Sequence, residues 1–409
     1  MSAPVQSTPV QPTPVETTQA HVIRSDAEAL EQAAEFRDAV LARAAQIDAD
    51  RLIPQDIVEE FSRRGLWAIT IPAAFGGADV STETLAEVIA IVAEADASLA
   101  QIPQNHFCLV EDIRLSGTPE QQEFFFGLVL SGLRFANAFS EFGGKNVGEL
   151  ETRLRYEGDE VVVNGRKFYS TGSLYADWIP VLAVDDAGLE LLVFAEKDAP
   201  GLTVVNDWSS FGQRATSSGT VLVEELRLPA SRVFPMYKEY ENPTLAGPFA
   251  QITTAAIDLG IARGAFRETL EATRNSRPWI DANVESATQD PLSLSIIGRL
   301  DIDIRAAEAL LRESAHAIDA AKPEPDAENV AAASIAVARA KVLTTEVSLE
   351  ASSRLLELGG TRSTLGERGL DRFWRNARVH TLHDPVRWKF HAIGDYVLNG
   401  TLPPRHSWL

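Results

Sequence analysis

Cysteine is all but missing from this chain: a single thiol, Cys108, excludes an intrachain disulfide. Set between Phe107 and Leu109, it has no metal-ligand spacing and reads as a small buried hydrophobe rather than a catalytic nucleophile. Basic charge is also scarce. Against 58 acidic residues stand 37 lysines and arginines, a formal net charge of -21 that repels nucleic-acid phosphates and anionic lipid surfaces. No stretch approaches the roughly 18 to 20 apolar residues of a membrane span. The N-terminus lacks the basic-then-apolar layout of a secretion signal, so a cytoplasmic protein with neither nucleic-acid nor membrane partners is expected. No Gly-x-x-x-x-Gly-Lys loop occurs, and no Gly-x-Gly-x-x-Gly opens a helix after a strand, which argues against P-loop and Rossmann readings.

What the chain does have is length and apolar content for two or three packed units, at 409 residues and 45% hydrophobic. Residues 1–20 are rich in Pro, Thr, Val, Gln and Ser without an amphipathic period and read as a flexible tail. Over 21–133 the period is helical: Ser25 is a candidate cap, and Ala29, Ala33, Phe36, Val40 and Ala44 form one apolar stripe. Helical patterns also run from Thr82 to Ala95 and from Pro119 to Leu130, with Gly65–Gly77 as a packed connection. Over 134–238 the period falls to two, with turns at Gly158-Asp159, Asp185–Gly188 and Asp198–Gly201, which predicts an antiparallel barrel or sandwich of short strands. Over 239–409 long amphipathic helices return, at Ile252–Arg274, Leu292–Ala321 and Asn329–Leu358, lengths that suit a bundle. The expected class is α+β multidomain, and the extra apolar faces of such long helices predict homo-oligomerisation.

Four segments have the composition of a site. His380-Thr-Leu-His383-Asp384 places two imidazoles three residues apart with a carboxylate beside them. This is half of a metal site, but no third ligand cluster accompanies it and His21, His106, His316, His391 and His406 are scattered, so no metal is expected. Phe135–Gly144 combines small residues, an amide and a hydroxyl where helix gives way to sheet. Phe168–Gly172 and Asp207–Thr220 add hydroxyls, backbone donors and aromatic faces, the inventory a flat heteroaromatic ring requires. Each of these, taken singly, also reads as an ordinary strand-end turn.

Together these segments resemble the acyl-CoA dehydrogenase superfamily from about Ile23 to the C-terminus, in the same three-part order. Asn137–Glu141 resembles the entry to its β-domain, Phe168–Gly172 its Trp-Ile-Thr-Asn segment beside the flavin, and Trp208–Thr220 its Gly-x-Arg-x-Ser-x-x-x-x-Val stretch. The resemblance implies a helical domain, a middle β-domain and a C-terminal four-helix bundle, assembled as a dimer of dimers. It further implies a flavin contacted by Phe168, Ser170, Trp208, Arg375 and Asn376.

The departures from the family pattern select a branch. Acyl-CoA dehydrogenases carry a glutamate that abstracts a thioester α-proton after an Arg-Asp-Ala-Arg-like stretch. Here Arg375-Asn-Ala-Arg-Val379 leads instead into His380 and His383, and the alternative glutamate position, around Gly247–Gln251, holds no acid. Lacking that base costs roughly a hundredfold or more in such chemistry. The His-x-x-His-Asp segment resembles the flavin monooxygenases of the superfamily, both the dibenzothiophene-monooxygenase-like enzymes and the SfnB-type sulfur-acquisition oxidoreductases.

That resemblance implies reduced FMN delivered by a separate reductase, a C4a-hydroperoxyflavin formed with oxygen, and oxygenation of a small organosulfur compound or amine. It implies His383 as the group that hydrogen-bonds or protonates, His380 orienting or relaying, His106 on the substrate side, and Asn137 and Ser170 at the flavin. Leu356–Arg362 lacks the Gln and final Gly of the family's dinucleotide segment. Arg277 and Arg362, aided by Thr361 and Ser363, are expected to clamp a terminal phosphate, which favours FMN over FAD. Two rivals stand beside this reading: a dehydrogenase or nitroalkane-oxidase-like enzyme with Asp384 as base, and a non-catalytic accessory protein of sulfur metabolism.

Overall fold

A computed structural model of the chain describes residues 20–143, 146 and 148–409. The stretch read as a tail lies outside these apart from Ala20, which is buried, as do Gly144, Lys145 and Val147.

The first helices are α1 (Asp26–Leu41), α2 (Ala44–Asp50), α3 (Gln55–Arg63), α4 (Thr82–Ala95), α5 (Ala97–Ser116) and α6 (Pro119–Leu130). Ser25 caps α1 through its hydroxyl, which accepts from the Glu28 amide at 3.2 Å, and the predicted stripe is buried. Its last member, Ala44, belongs to α2, because the chain turns at Ala42 and Arg43 while keeping the same apolar face. A capping box at Thr118 and Gln121 starts α6. Short 3₁₀ turns at Leu66–Ala68 and Ala73–Phe75 make the Gly65–Gly77 connection. Gly77 cannot be replaced there: a Cβ would stand 2.1 Å from the Ile71 carbonyl oxygen.

Seven strands follow: β1 (Arg153–Glu157), β2 (Glu160–Lys167), β3 (Trp178–Val184), β4 (Glu190–Glu196), β5 (Leu202–Val205), β6 (Thr220–Pro229) and β7 (Val233–Phe234). They form one sheet in the order β5-β6-β2-β1-β3-β4-β7, so β5 and β7 are its edges. All neighbours are antiparallel, three pairs of them (β1–β2, β3–β4, β5–β6) consecutive in the chain, except that β1 meets β3 in parallel at Arg153 and Val184. The parallel step follows from the long excursion between β2 and β3, residues 168–177, which leaves the sheet to build the site described below.

The bundle consists of α7 (Ala246–Arg274), α8 (Pro291–Ala321), α9 (Ala327–Gly359), α10 (Asp371–His380) and α11 (Val386–Asn399). One apolar core runs from the N-terminal helices through α4 into α7, α8 and α9, and a second lies within the sheet. The helical units at the two ends of the chain therefore share a core, with the sheet docked against them. No helix among the described residues is long and apolar enough to cross a membrane.

Two buried ties fix the sheet to the helices. The Arg134 guanidinium donates to the Tyr175 carbonyl, to Ser62 Oγ at 2.9 Å and to Glu59 Oε1 at 2.6 Å, pinning the entry to the sheet onto α3. His106, on α5, is fully buried: its Nε2 meets the Trp67 carbonyl oxygen at 3.0 Å, and its Nδ1 accepts the Phe135 amide at 3.0 Å. Burial pushes its pKa down to about 3, so the ring is neutral. This corrects the expectation that His106 faces substrate, since both ring nitrogens are taken up by backbone.

Cys108 is partly buried, and burial pushes its thiol well above the ordinary range, which removes it as a nucleophile. Near it, where the chain passes from sheet to bundle, Glu239 is buried with both carboxylate oxygens unpartnered.

His106→Leu is expected to cost about 1–3 kcal/mol by orphaning the Phe135 amide. Chemical denaturation checks this, and activity per folded molecule should be unchanged. Burial, with the charge of Glu111 added, pushes the Glu239 carboxyl up to about 7. A raised carboxyl contributes stability that is full below its unfolded pKa, near 4.5, and lost as pH rises through the folded value. The protein should therefore lose on the order of 1–3 kcal/mol between pH 5 and pH 8. Glu239→Gln should flatten that slope and be the more stable form at pH 8, as read from denaturation midpoints across pH.

Candidate active site

The site begins with the segment that crosses from α6 into the sheet. Residues 135–138 run parallel to β3: the Ala136 amide donates to the Trp178 carbonyl at 3.1 Å and the Ala138 amide to the Pro180 carbonyl at 3.0 Å. Behind it the fully buried Lys167 ammonium pairs with Glu141 and donates to the Phe139 carbonyl at 3.1 Å. Glu141 also accepts from the Glu151 amide at 2.6 Å and from Thr152 Oγ1 at 2.7 Å. A buried lysine is tolerated only because its partner is fully satisfied. The pair holds 137–141 against the end of β2, where the Phe168 amide donates to the Ser140 carbonyl at 2.9 Å.

Beyond β2 the chain turns sharply. Tyr169 adopts φ 55° and Gly172 φ 81°, and a Cβ on Gly172 would stand 3.4 Å from Ile102 and 3.6 Å from Ala136. The Ser170 amide donates to the Gly219 carbonyl at 3.2 Å and the Gly172 amide to the Thr216 carbonyl at 2.9 Å, so 168–172 is tied to the loop before β6. Buried hydroxyls join the two: Thr171 lies 2.8 Å from Ser218, and Ser218 donates to Thr216 at 2.8 Å.

The same loop meets the bundle. Gly212 packs so tightly on α10 that a Cβ would approach the Arg375 carbonyl oxygen to 2.2 Å, and the next amide, of Gln213, donates to Asn376 Oδ1 at 2.8 Å. Arg375 binds Asp48 and Asp371 and donates to the Phe211 carbonyl at 2.8 Å. This corrects the expectation that Arg375 contacts cofactor: its guanidinium clamps α2, α10 and the loop together. Asn376 is buried, and its amide oxygen serves the loop backbone, which makes it the hinge of this seam.

One turn beyond Asn376, His380 is 2% exposed. Its Nδ1 lies 2.6 Å from Asp258 Oδ1, in the middle of α7. Asp258 is fully buried and also accepts from Lys341 Nζ at 2.6 Å and Thr345 Oγ1 at 2.9 Å, both on α9. Burial acts to raise the Asp258 carboxyl, but the Lys341 charge and the hydrogen bonds from Lys341 and His380 outweigh it and hold the group below the ordinary carboxylate range. Burial holds His380 below its ordinary value despite the opposing pull of Asp258, so the ring is neutral.

His383 differs from it. Its side chain is 48% exposed and its Nδ1 stands 3.4 Å from Asp384 Oδ2. Burial of the ring works against its charge, but Asp384 outweighs this and sets the pKa above the ordinary value. Asp384 is itself 1% exposed and accepts from Gln251 Nε2 at 3.1 Å. Gln251 Oε1 in turn accepts from the buried Lys389 at 2.6 Å, whose pKa burial lowers to about 8. The C-terminal residues close over this cluster, with the carbonyls of Ser407 and Trp408 accepting hydrogen bonds from Gln251 and Lys389.

Several buried polar atoms along this seam have no partner in the protein: Asn137 Oδ1, Ser170 Oγ, both amide atoms of Gln213, His380 Nε2, Asp384 Oδ1 and Gln101 Oε1. Orphaned buried polar atoms are costly, and a set on neighbouring turns marks a binding site. They supply donors and acceptors together, as the polar edge of a flavin ring demands. Phe168 and Trp208 have ring centroids 6.3 Å apart, beside the exposed Tyr169 and Phe142. The Trp208 indole N–H is spent on the Gln213 carbonyl at 2.8 Å, which leaves its ring faces for contact.

Asn137 and Ser170 are thus tied to the loop before β6, that loop is tied to Asn376, and His380 follows Asn376 by one turn, while His383 pairs with Asp384 beyond it. Gln213, Asp258 and Lys341 were not foreseen. The phosphate-clamp residues sit elsewhere. Arg277 and Arg362 are exposed beyond the ends of α7 and α9, where Gly359 lies against Ala272. From Asp258 to the end of α7 at Arg274 is about 24 Å at 1.5 Å per residue, well beyond the reach of one mononucleotide. Thr361 is exposed beside them, whereas Ser363 spends its hydroxyl on the Leu356 and Gly360 carbonyls at 3.0 and 2.6 Å, a correction to its assignment as a phosphate donor. Among the described residues no group of three or more His, Cys, Asp or Glu side chains is arranged to hold a metal.

The chain matches the acyl-CoA dehydrogenase N-terminal domain over residues 25–132, the middle domain over 138–226 and the C-terminal domain over 252–388. The dibenzothiophene monooxygenase of Rhodococcus qingshengii is 32% identical over 384 residues, 88% of this chain and 91% of that protein. The probable FMNH2-dependent monooxygenase SfnC of Pseudomonas putida is 30% identical over 349 residues, 83% and 87% of the two chains. Among solved structures, FMN-bound TdsC from Paenibacillus sp. A11-2 aligns with a TM-score of 0.89 at 30% identity, covering 93% of this chain and 100% of that one. With all three domains matched in order and these relatives aligned over most of their length, the chain belongs to the acyl-CoA dehydrogenase family.

Proposed function

We propose that the protein is a reduced-FMN-dependent monooxygenase of this family that oxygenates a small organosulfur compound and receives its flavin from a separate reductase in the cytoplasm. The observation that carries this is the identity of the groups around Asp384. α-Proton abstraction needs a base poised near neutrality. Burial alone would raise Asp384, but His383 and the lysine charges hold it well below the ordinary carboxylate range, and Gln251 binds it. It is a poor base, and the alternative acid position expected from the family, around Gly247–Gln251, holds no acid. What the seam offers instead is a half-exposed histidine kept readily protonated and a buried one kept neutral.

The similarity to a dibenzothiophene monooxygenase and to an FMNH2-dependent enzyme supports the same reading. Bound reduced FMN supplies two electrons to dioxygen, so that one oxygen atom passes to sulfur and the other leaves as water. The residues do the rest. Asn137, Ser170 and Gln213 orient the ring edge, Phe168 and Trp208 exclude water from the mouth, and His383, backed by Asp384, holds the proton that leaves with the second oxygen. Arg277, Thr361 and Arg362 reach a phosphate only from another copy of the chain, which supports a homotetramer built as a dimer of dimers. Neither arginine makes an ion pair among the described residues.

Incubation with FMN, NADH, a flavin reductase and dibenzothiophene or a dialkyl sulfide under ¹⁸O₂ should give a sulfoxide carrying one ¹⁸O. His383→Phe should lower product formation by about a hundredfold while hydrogen peroxide release continues. Reduction of the bound flavin by a nitroalkane or acyl-CoA without reductase, and no ¹⁸O in any product, would replace the proposal with the dehydrogenase reading.

A further inference from the structure

We infer that Asp258, with Lys341 and Thr345, is a positioning device that fixes the tautomer of His380, placing the ring proton on Nδ1 and leaving the buried, unpartnered Nε2 as an acceptor. The role of this tautomer in oxygenation rests on the monooxygenase reading; the tautomer itself does not.

A carboxylate in the interior of a long helix is expensive unless every lone pair it presents is satisfied. Asp258 meets that condition with three donors divided between its oxygens: Lys341 Nζ at 2.6 Å and Thr345 Oγ1 at 2.9 Å on Oδ2, and His380 Nδ1 at 2.6 Å on Oδ1. A carboxylate only accepts, so the histidine nitrogen facing it must carry hydrogen, and in the neutral ring the other nitrogen is then an acceptor. That nitrogen, Nε2, is buried and has no protein partner.

An ion pair needed for stability alone would be complete with Lys341 and Thr345. Spending the second oxygen on a ring whose far side is left unsatisfied adds a desolvation cost, which points to a ligand for Nε2.

The groups facing His380 agree. Asp258 approaches from α7, Lys341 and Thr345 from α9, and His383 and Asp384 from the turn after α10, with Lys389 on α11 behind them. Lys341 already neutralises Asp258, so the imidazole has no call to be charged, and burial holds it below its ordinary value. The two histidines of the turn thus present opposite faces: His380 accepts and His383 donates. Pairs of titratable groups held apart in this way are how one site performs both proton removal and proton delivery.

The test is ¹⁵N NMR of the full-length protein labelled at histidine, with the His380 signals assigned through His380→Gln. Wild-type His380 should be neutral from pH 7 to 8, protonated at Nδ1, with a slowly exchanging downfield proton. In Asp258→Asn, Lys341 and Thr345 keep the amide oxygen on their side, so the amide NH₂ turns toward His380 and forces the proton to Nε2. The downfield signal should vanish, and kcat for sulfide oxygenation should fall about a hundredfold with KM little changed.

Should that variant not fold, Lys341→Met keeps the carboxylate and removes its other counter-charge, and the His380 titration midpoint should rise by about one pH unit. An Nε2–H tautomer in the wild type, or unchanged tautomer and midpoint in these variants, would overturn the inference. A wild type with the predicted tautomer but no ¹⁸O transfer would overturn only the monooxygenase reading.

Discussion

Everything in this molecule's site depends on the close apposition of one loop to one helix. The backbone of Gly212 lies against that of Arg375 so closely that no side chain fits between them, and the amide beyond it is received by Asn376. Through that contact the sheet, whose geometry is set by hairpins, is registered against a bundle whose geometry is set by packing of α7 on α9. Arg375 strengthens the seam by reaching Asp48 on α2, so three parts of the chain converge on one guanidinium. A bidentate arginine holds a carboxylate in fixed orientation, which a lysine would not do. Widening the seam would separate Ser170 and Gln213, which belong to the sheet side, from His380, which belongs to the bundle.

Buried charge is the second constraint. A chain with net charge -21 must place its few cations with care, and three lysines are taken fully out of water: Lys167, Lys341 and Lys389. Each faces a carboxylate or amide that makes further hydrogen bonds of its own: Glu141 and Asp258 accept from other donors, and Gln251 donates to Asp384 and the Ser407 carbonyl. Lys167 holds the segment carrying Asn137, Lys341 holds Asp258 behind His380, and Lys389 holds Gln251 behind Asp384. Buried pairs of this kind contribute little net stability compared with apolar packing. What they add is orientation, and all three stand one residue behind a group that faces the site.

The periodicities carried much of the architecture. The helices Thr82–Ala95 and Pro119–Leu130 were readable from apolar spacing and their caps, and the turns at Asp185–Gly188 and Asp198–Gly201 mark ends of strands β3, β4 and β5. What spacing cannot reveal is which side of a residue meets which partner. His106 has the composition of a site residue, yet both its nitrogens are consumed by backbone across a tertiary contact that no local pattern encodes. Arg375 and Ser363 were misread for the same reason, since a guanidinium or hydroxyl satisfied within the fold looks identical in sequence to one left free. Asp258 and Lys341 did leave a trace: each is a charge on the apolar face of a long amphipathic helix, where an isolated charge could not remain. The trace shows that a partner exists without naming it.

The loss of the family's carboxylate base and the rise of a histidine pair are two sides of one electrostatic change. A carboxylate that removes a carbon-bound proton works best when burial lifts it toward neutrality without a compensating cation. Here Asp384 sits beside an imidazole, an amide and two lysines, which stabilise its charge and lower its basicity. The lysines oppose a charge on His383, but the anionic Asp384 beside it outweighs both them and desolvation, so the anion that is disabled as a base favours the proton on its partner. Removing one base thus creates one acid in the same place. Oxygen transfer to sulfur needs no carbon base, and an Asp384 whose charge is stabilised in this way is ill suited to taking a proton from a substrate carbon.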